Sequence, residues 1–273
     1  DGRWGGQLLV THRRPDGRYE RFTSQVPSGR IRFDTTRADL VLGAHAVTQR
    51  EGRYRITGDA GGPAGRARFD LEVVPDRHRY FPPVELRSDE FLSGYVVPGL
   101  RASARGTVCS GGRCRDVVDA PAYHDHNWGV WRDVTWEWGM GRGRALDLLY
   151  GGVISPKDSV GPAGSPFFLA VADSLGLWQV LRFRTVTYEG AQPAGGAGGM
   201  SPERFRLVAA RESDTLRLDV DVSSAQSSQV GAAGMRRLFL QMRGRFRLEG
   251  RVGGQAVRDE GLGFFETYVD RLP

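Results

Sequence analysis

The feature that most constrains this chain is its alternation. Short runs that are apolar at every second position, separated by glycine, recur along the sequence. In Arg66-Ala67-Arg68-Phe69-Asp70-Leu71-Glu72-Val73-Val74, the apolar Ala67, Phe69, Leu71 and Val73 share one face of a strand, because successive β side chains point to opposite sides. Leu177 to Phe183, Phe205 to Val208 and Thr215 to Val222 read the same way. Ala145 to Ile154 and Pro166 to Ala172 are nearly continuous apolar runs, the pattern of strands buried on both faces. No helical period extends beyond a turn or two. With 38 glycines punctuating these runs, the sequence predicts many strands joined by tight turns.

A chain of 273 residues can bury a sizeable core as one large domain or two smaller ones. Antiparallel sheets resolve their edges by closing, and each half holds roughly the strands of a small up-and-down barrel. The expected fold is therefore all-β, two antiparallel β-barrels in tandem, residues 1–119 and 120–273. Two irregular stretches interrupt the pattern: Ser155 to Ser165, and Glu189 to Pro202 with its Gly195-Gly196-Ala197-Gly198-Gly199. Stretches of that kind are mobile or functional. The second reads as a loose surface loop; the first stands evenly between a lid and a surface loop.

The net charge is +6, and Lys157 is the only lysine among 38 basic residues. This arginine bias fits codon usage in a GC-rich genome, or a surface with peripheral contact to anionic lipid. The arginines are scattered along strands with no recognition helix or aromatic RNA-binding motif, which argues against a nucleic-acid partner. Cys109 and Cys114 flank Ser110-Gly111-Gly112-Arg113, a four-residue hairpin turn. They are either a cross-strand disulfide, implying an oxidising compartment, or two reduced thiols. No run approaches the roughly 20 apolar residues that span a bilayer. A chain beginning Asp1-Gly2-Arg3-Trp4 fits a processed periplasmic or secreted protein, and equally a trimmed one from the cytoplasm or the membrane periphery. The sequence leaves the oligomeric state open.

The chemistry-bearing residues concentrate in Tyr123-His124-Asp125-His126-Asn127-Trp128-Gly129 and Trp136-Glu137-Trp138-Gly139. Rings beside a few polar groups are the material of a ligand cavity. On a strand, Tyr123, Asp125 and Asn127 share one face, and His124, His126 and Trp128 the other. After Gly129, Trp136 and Trp138 face one way and Glu137 the opposite way. Trp4, Trp131 and Trp178 read as core or rim residues, and His78 as part of an exposed connection.

These two motifs resemble the lipocalin-like superfamily that includes carotenoid 1,2-hydratases (hydroxyneurosporene synthases), AttH-type proteins and certain natural-product cyclases. The terminal Gly261-Leu262-Gly263-Phe264-Phe265-Glu266-Thr267-Tyr268 is similar to that superfamily's last strand. The paired histidines depart from the Tyr-x-Asp-x-Asn-Phe-Gly run of the carotenoid hydratases, so the resemblance implies the superfamily rather than carotenoid as substrate. It implies two tandem lipocalin-like barrels and a hydrophobic small-molecule substrate; the expected chemistry, acid-initiated hydration, cyclisation or isomerisation, uses no cofactor.

Hydrating or cyclising an alkene begins by protonating carbon. A carboxyl in an apolar pocket holds its proton near neutral pH. Asp125 is the candidate acid, weighed against a structural role at a turn. Tyr123 or Asn127 would orient it or a water, with His124 and His126 beside them, and Glu266 would accept the final proton. Trp128, Trp136, Trp138, Glu137 and Phe264 would line the substrate site, indole faces stabilising a carbocation. Two other readings stand. His124 and His126 at i and i+2 would hold a metal in a hydrolase, with Glu137, Glu266, His45 or His12 as third ligand. Otherwise the barrel is a carrier that binds a hydrophobic ligand without chemistry.

Overall fold

The computed structural model describes residues 5–87, 92–130, 135–154, 167–230 and 237–269. Trp4, Trp131 and the stretch Ser155 to Ser165 lie outside them. The strands are β1 (Gly6–Arg13), β2 (Tyr19–Val26), β3 (Ile31–Phe33), β4 (Leu40–Leu42), β5 (His45–Arg50), β6 (Arg53–Gly62), β7 (Gly65–Pro75), β8 (Phe81–Arg87), β9 (Leu92–Ser110), β10 (Arg113–Val130) and β11 (Thr135–Gly143). They continue as β12 (Asp147–Ile154), β13 (Phe167–Asp173), β14 (Gly176–Phe183), β15 (Val186–Glu189), β16 (Gln192–Pro193), β17 (Gly195–Gly196), β18 (Met200–Ser201), β19 (Arg204–Arg211), β20 (Asp214–Val230), β21 (Arg237–Val252) and β22 (Gln255–Val269). Among the described residues the sole helical element is a 3-10 turn at Ser28–Arg30. The fold class is the all-β one expected from the alternation.

The chain forms two compact units, Asp1–Asp76 with Arg101–His124, and Arg77–Leu100 with Asp125–Pro273. The single cut read from sequence at 119/120 thus meets two exchanged segments. Residues 77–100 go with the second unit, whose main body starts at Asp125. The long β9 and β10 each pass from one unit to the other, so no linker marks the division in sequence.

In the first unit an antiparallel ladder runs β3–β4–β5–β6–β7, with β2 on β6 and β1 on β2. The second part of β9 pairs with β7 from Pro75↔Ala102 to Ala67↔Ser110. The alternation in β7 holds: Ala67 and Val73 are buried, Arg66 and Arg68 exposed. The β9–β10 hairpin turns on Gly111 and Gly112, with φ 57° and 78°. Two consecutive positive φ values define the two-residue turn that matches strand twist, so the turn is two residues rather than four. Cys109 and Cys114 close it as a disulfide.

In the second unit β19–β14–β13–β12–β11–β22–β21–β20 closes on itself through the β19–β20 pairing, an eight-stranded barrel. Its interior is packed with side chains from every second position, among them Leu148, Tyr150, Leu169, Leu181, Phe205, Leu218, Phe246 and Phe265. The intervening arginines face outward and pair across strands, as in Arg206–Asp219 and Arg217–Glu249. The continuous apolar run of β13 is buried on both faces, as its sequence predicts. Phe167, Leu169 and Val171 face the barrel interior, and Phe168 lies under Phe81 and Tyr95 of segment 77–100. Glu189 to Pro202, expected to be loose, is tied down instead. Its β17 pairs in parallel with β20, and Ser227 Oγ donates to the carbonyls of Gly195 and Gly198.

Segment 77–100 is fixed to the barrel wall by an ion pair that sequence reasoning did not foresee. Arg79 Nη1 donates to Asp147 Oδ2 at 2.7 Å, and the residues are 8% and 0% exposed. Removing one partner of a buried pair strands the other charge in a low dielectric. Asp147→Ala is expected to cost about 3–5 kcal/mol in urea unfolding. A cost no larger than that of an exposed pair such as Arg217→Ala would show that Asp147 does not anchor the segment.

Candidate active site

The register of β11 against β22 decides where each carboxyl goes. Glu137 lies opposite Thr267, and Trp138 opposite Glu266. Directly opposed residues leave a sheet on the same face, and the next pair leaves on the other. Thr267 shares its face with Phe265, which is in the barrel core. Glu137 therefore enters the barrel, while Glu266 and Trp138 stand on its outer wall.

Inside, Tyr188 Oη donates to both Glu137 carboxylate oxygens at 2.8 and 2.7 Å, and Thr267 Oγ1 donates to one at 3.1 Å. Burial pushes the Glu137 carboxyl up to about 7 against the pull of those hydrogen bonds. Burial, then the nearby Glu137 charge, in turn holds the Tyr150 and Tyr188 hydroxyls well above the usual phenol range.

Outside, Gln241 lies opposite Glu266 on β21, and its Nε2 donates to Glu266 Oε1 at 2.9 Å. Burial raises the Glu266 carboxyl to about 7; the Gln241 hydrogen bond opposes this, and the negative charge of Asp125 adds to it. Asp125, partly buried on β10, thus acts electrostatically on Glu266. The row continues on the same face from Trp138 to Gly151 and Phe168. The indole lies directly on Gly151, where a Cβ would stand 2.3 Å from its ring. Tyr95 meets Trp138 edge-on, with centroids 5.2 Å apart. One turn of the pleat away, Trp136 packs edge-on against Tyr268 at 5.0 Å and against Phe239 at 6.0 Å.

The remaining sequence candidates are more dispersed. Tyr123 and His124 belong to the first unit, where His124 lies 4.4 Å from the Tyr54 ring. His126 and Asn127 are exposed. His126 and Trp128 share a face as the alternation predicts, with ring centroids 5.8 Å apart. Trp128 packs on Gly94, and its Nε1 donates to Glu85 Oε2 at 3.4 Å. Phe264 is on the outer face and 42% exposed. Glu137, also expected as a lining residue of the substrate site, stands on the opposite side of the ladder from Trp136 and Trp138, the side the alternation gives it, because Thr267 lies across from it.

The metal-ligand set is not gathered. His12 bonds Glu20, and His45 bonds Ser24 and the backbone N–H of Asp59. Glu137 is engaged by Tyr188 and Thr267. Among the described residues no group of three or more His, Cys, Asp or Glu side chains converges on a common point. Gln226, Gln241, Tyr95, Phe168 and Tyr188 were missed in the sequence. The one available signal was the polar run Ser223-Ser224-Ala225-Gln226-Ser227-Ser228-Gln229 inside an otherwise alternating strand.

This arrangement sits in a fold seen before. The structure matches kievitone hydratase from Nectria haematococca with a TM-score of 0.58 and 13% identity, over 96% of this chain and 84% of that one. It matches an AttH-like protein of Nitrosomonas europaea at 0.57 and 14%, over 97% and 91%. It also matches CghA with Sch210972 at 0.57 and 10%, over 96% and 84%. At these identities the likeness is one of fold, and the fold is the one that the resemblance of the Tyr123–Gly129 motif implies. No family model matches the chain. No curated protein sequence matches it either.

Two measurements test the electrostatics. A carboxyl whose folded pKa lies above its ordinary 4.5 binds an extra proton in the folded state. Its contribution is fully present below about 4.5 and lost as pH rises towards 7. Glu137→Gln keeps an acceptor for Tyr188, so it should reduce the fall in unfolding free energy between those pH values by about 3 kcal/mol. Identical pH slopes for variant and wild type would contradict the buried assignment. For the outer pair, Asp125→Asn removes a negative charge, so the Glu266 carboxyl should titrate at lower pH by carbon-13 NMR. An unmoved or raised midpoint would show that the two carboxyls are not coupled.

Proposed function

We propose that this chain is a cofactor-independent enzyme that hydrates, cyclises or isomerises a hydrophobic polyene-, terpenoid- or polyketide-like molecule by acid–base chemistry at Glu266 and Asp125. The observation that carries the reading is the Glu266 carboxyl, pushed up to about 7 by burial with the charge of Asp125 adding to the shift, opposite Trp138 on one face of the ladder. A catalytic pKa near the working pH balances a ready proton against the force to transfer it. The solved hydratase of the same fold lends the reading further support.

In this reading Glu266 is the acid and Asp125 the final base, the reverse of the order expected from the sequence, because burial and the charge of Asp125 both raise the Glu266 carboxyl. Glu266 gives its proton to the less substituted carbon of a trisubstituted double bond, leaving a tertiary cation. Trp138, and Trp136 next to it, offer π-faces to that cation. Water adds to the cation, its surplus proton passes to the Asp125 carboxylate, and transfer back to Glu266 restores the pair. The net change is alkene plus water to alcohol. If an internal double bond captures the cation and Asp125 then removes a proton, the product is a cyclised isomer of unchanged composition. Asn127, two residues along the strand face of Asp125, helps place the water. Gln241 orients the acid through its 2.9 Å hydrogen bond. The Cys109–Cys114 disulfide favours a periplasmic or secreted setting.

The test is incubation in oxygen-18 water with a panel of prenyl alcohols, prenylated phenols and carotenoids. Wild type should yield a product carrying one labelled oxygen, or an isomer of the same mass. Turnover should fall at least about a hundredfold in Glu266→Gln and Asp125→Asn, in line with the loss of a general acid or base. Full turnover in both variants would overturn the mechanism. An apolar ligand recovered unaltered from wild type and variants alike would make the protein a carrier.

A further inference from the structure

The outer row that holds Glu266 continues to a residue the proposed chemistry does not use. Gln226 on β20 lies opposite Gln241, which lies opposite Glu266, so all three amide or carboxyl groups leave the same face of three adjacent strands. Gln226 is 3% exposed, and among the described residues its buried Oε1 has no hydrogen-bond donor. The glycine-rich segment explains how the amide is held. Gly195 pairs with Gln226, and a Cβ on Gly196 would stand 2.8 Å from Gln226 Nε2. A buried acceptor left without a donor is unfavourable by about 1–3 kcal/mol, a cost that leucine would avoid at this position.

We propose that the substrate carries a hydrogen-bond donor, a hydroxyl or an N–H, that docks on Gln226 Oε1 about two strand spacings (~9–10 Å) from the double bond facing Glu266. The row then acts as a ruler. Gln226 reads the polar end of an apolar molecule, and Glu266 meets its reacting end. A site built to accept a hydrogen bond rejects an analogue that lacks the donor, because the buried acceptor is then left unpaired. This deepens the proposed reaction by naming the substrate's second functional group, and it relies on that reading only for which bond reacts.

The probes are geraniol, whose hydroxyl and distal trisubstituted double bond are separated by a chain of about this length, and geranyl methyl ether, which keeps the oxygen but lacks the donor. Calorimetric titration of wild type should show geraniol binding roughly tenfold tighter than the ether. Gln226→Leu and Gln226→Met should erase the preference while melting no lower than wild type, since each removes an unpaired acceptor. Glu266→Gln should keep the preference and lose turnover. Equal binding of the two probes, binding of neither, or a preference that survives both Gln226 variants would overturn the inference. So would a lowered melting point in both variants, which would give Gln226 a structural partner instead. A preference without turnover in wild type would leave the donor site standing and remove the proposed reaction.

Discussion

The pairing of β11 with β22 is the constraint on which the candidate site depends. Because Trp138 lies opposite Glu266 and Glu137 opposite Thr267, the pleat sends two glutamates to opposite faces of one ladder. A slip of one residue would exchange every side chain on the strand. Trp138 would enter a barrel already filled by Tyr150, Phe205 and Phe265, and Glu137 would stand outside. The interior packing that stabilises the barrel therefore also fixes the geometry of its outer wall. The hydrogen bonds from Tyr188 and Thr267 to Glu137 reinforce the same register from within.

What the sequence discloses and what it hides follow from the range of the interactions. Alternation is local, so the burial of Ala67 and Val73 and the two-sided burial of Phe167 to Ala172 are legible from a few neighbouring residues. The shared face of His126 and Trp128 is legible for the same reason. Cross-strand register is not local. Glu266, Trp138, Gly151 and Phe168 form one row only after four strands have paired, and no spacing along the chain announces it. The same holds for Arg79 with Asp147, which are 68 positions apart. The unit boundary was hard to read because β9 and β10 cross it as uninterrupted strands, with no linker composition to mark the passage.

The arginines and the glycine-rich segment show how composition can mislead. Scattered basic residues suggested a charged surface, yet many are cross-strand partners of acids, as in Arg55–Asp70, Arg105–Glu72 and Arg206–Asp219. Such pairs account for these arginines as neighbours of acids on the pleated surface. The run Gly195 to Gly199 suggested a loose loop. Instead, its small residues let the backbone approach β20 closely enough to pair with Gln226 and Ser227. Glycine here serves close approach as well as mobility.

The two glutamates share a pKa near 7 for the same leading reason, burial, yet they are not equivalent as reagents. Glu137 shares the single Tyr188 hydroxyl hydrogen between its two oxygens and accepts a further hydrogen bond from Thr267, inside a barrel packed with apolar side chains. A proton transferred there would have to break that set. Glu266 stands on the wall, oriented through one oxygen by Gln241, with an indole on one flank and the charge of Asp125 acting on it. Burial raises both carboxyls, but only the outer one has the charge of Asp125 acting on it and an indole on the adjacent strand. A raised pKa alone therefore does not distinguish the two carboxyls; the face of the sheet does.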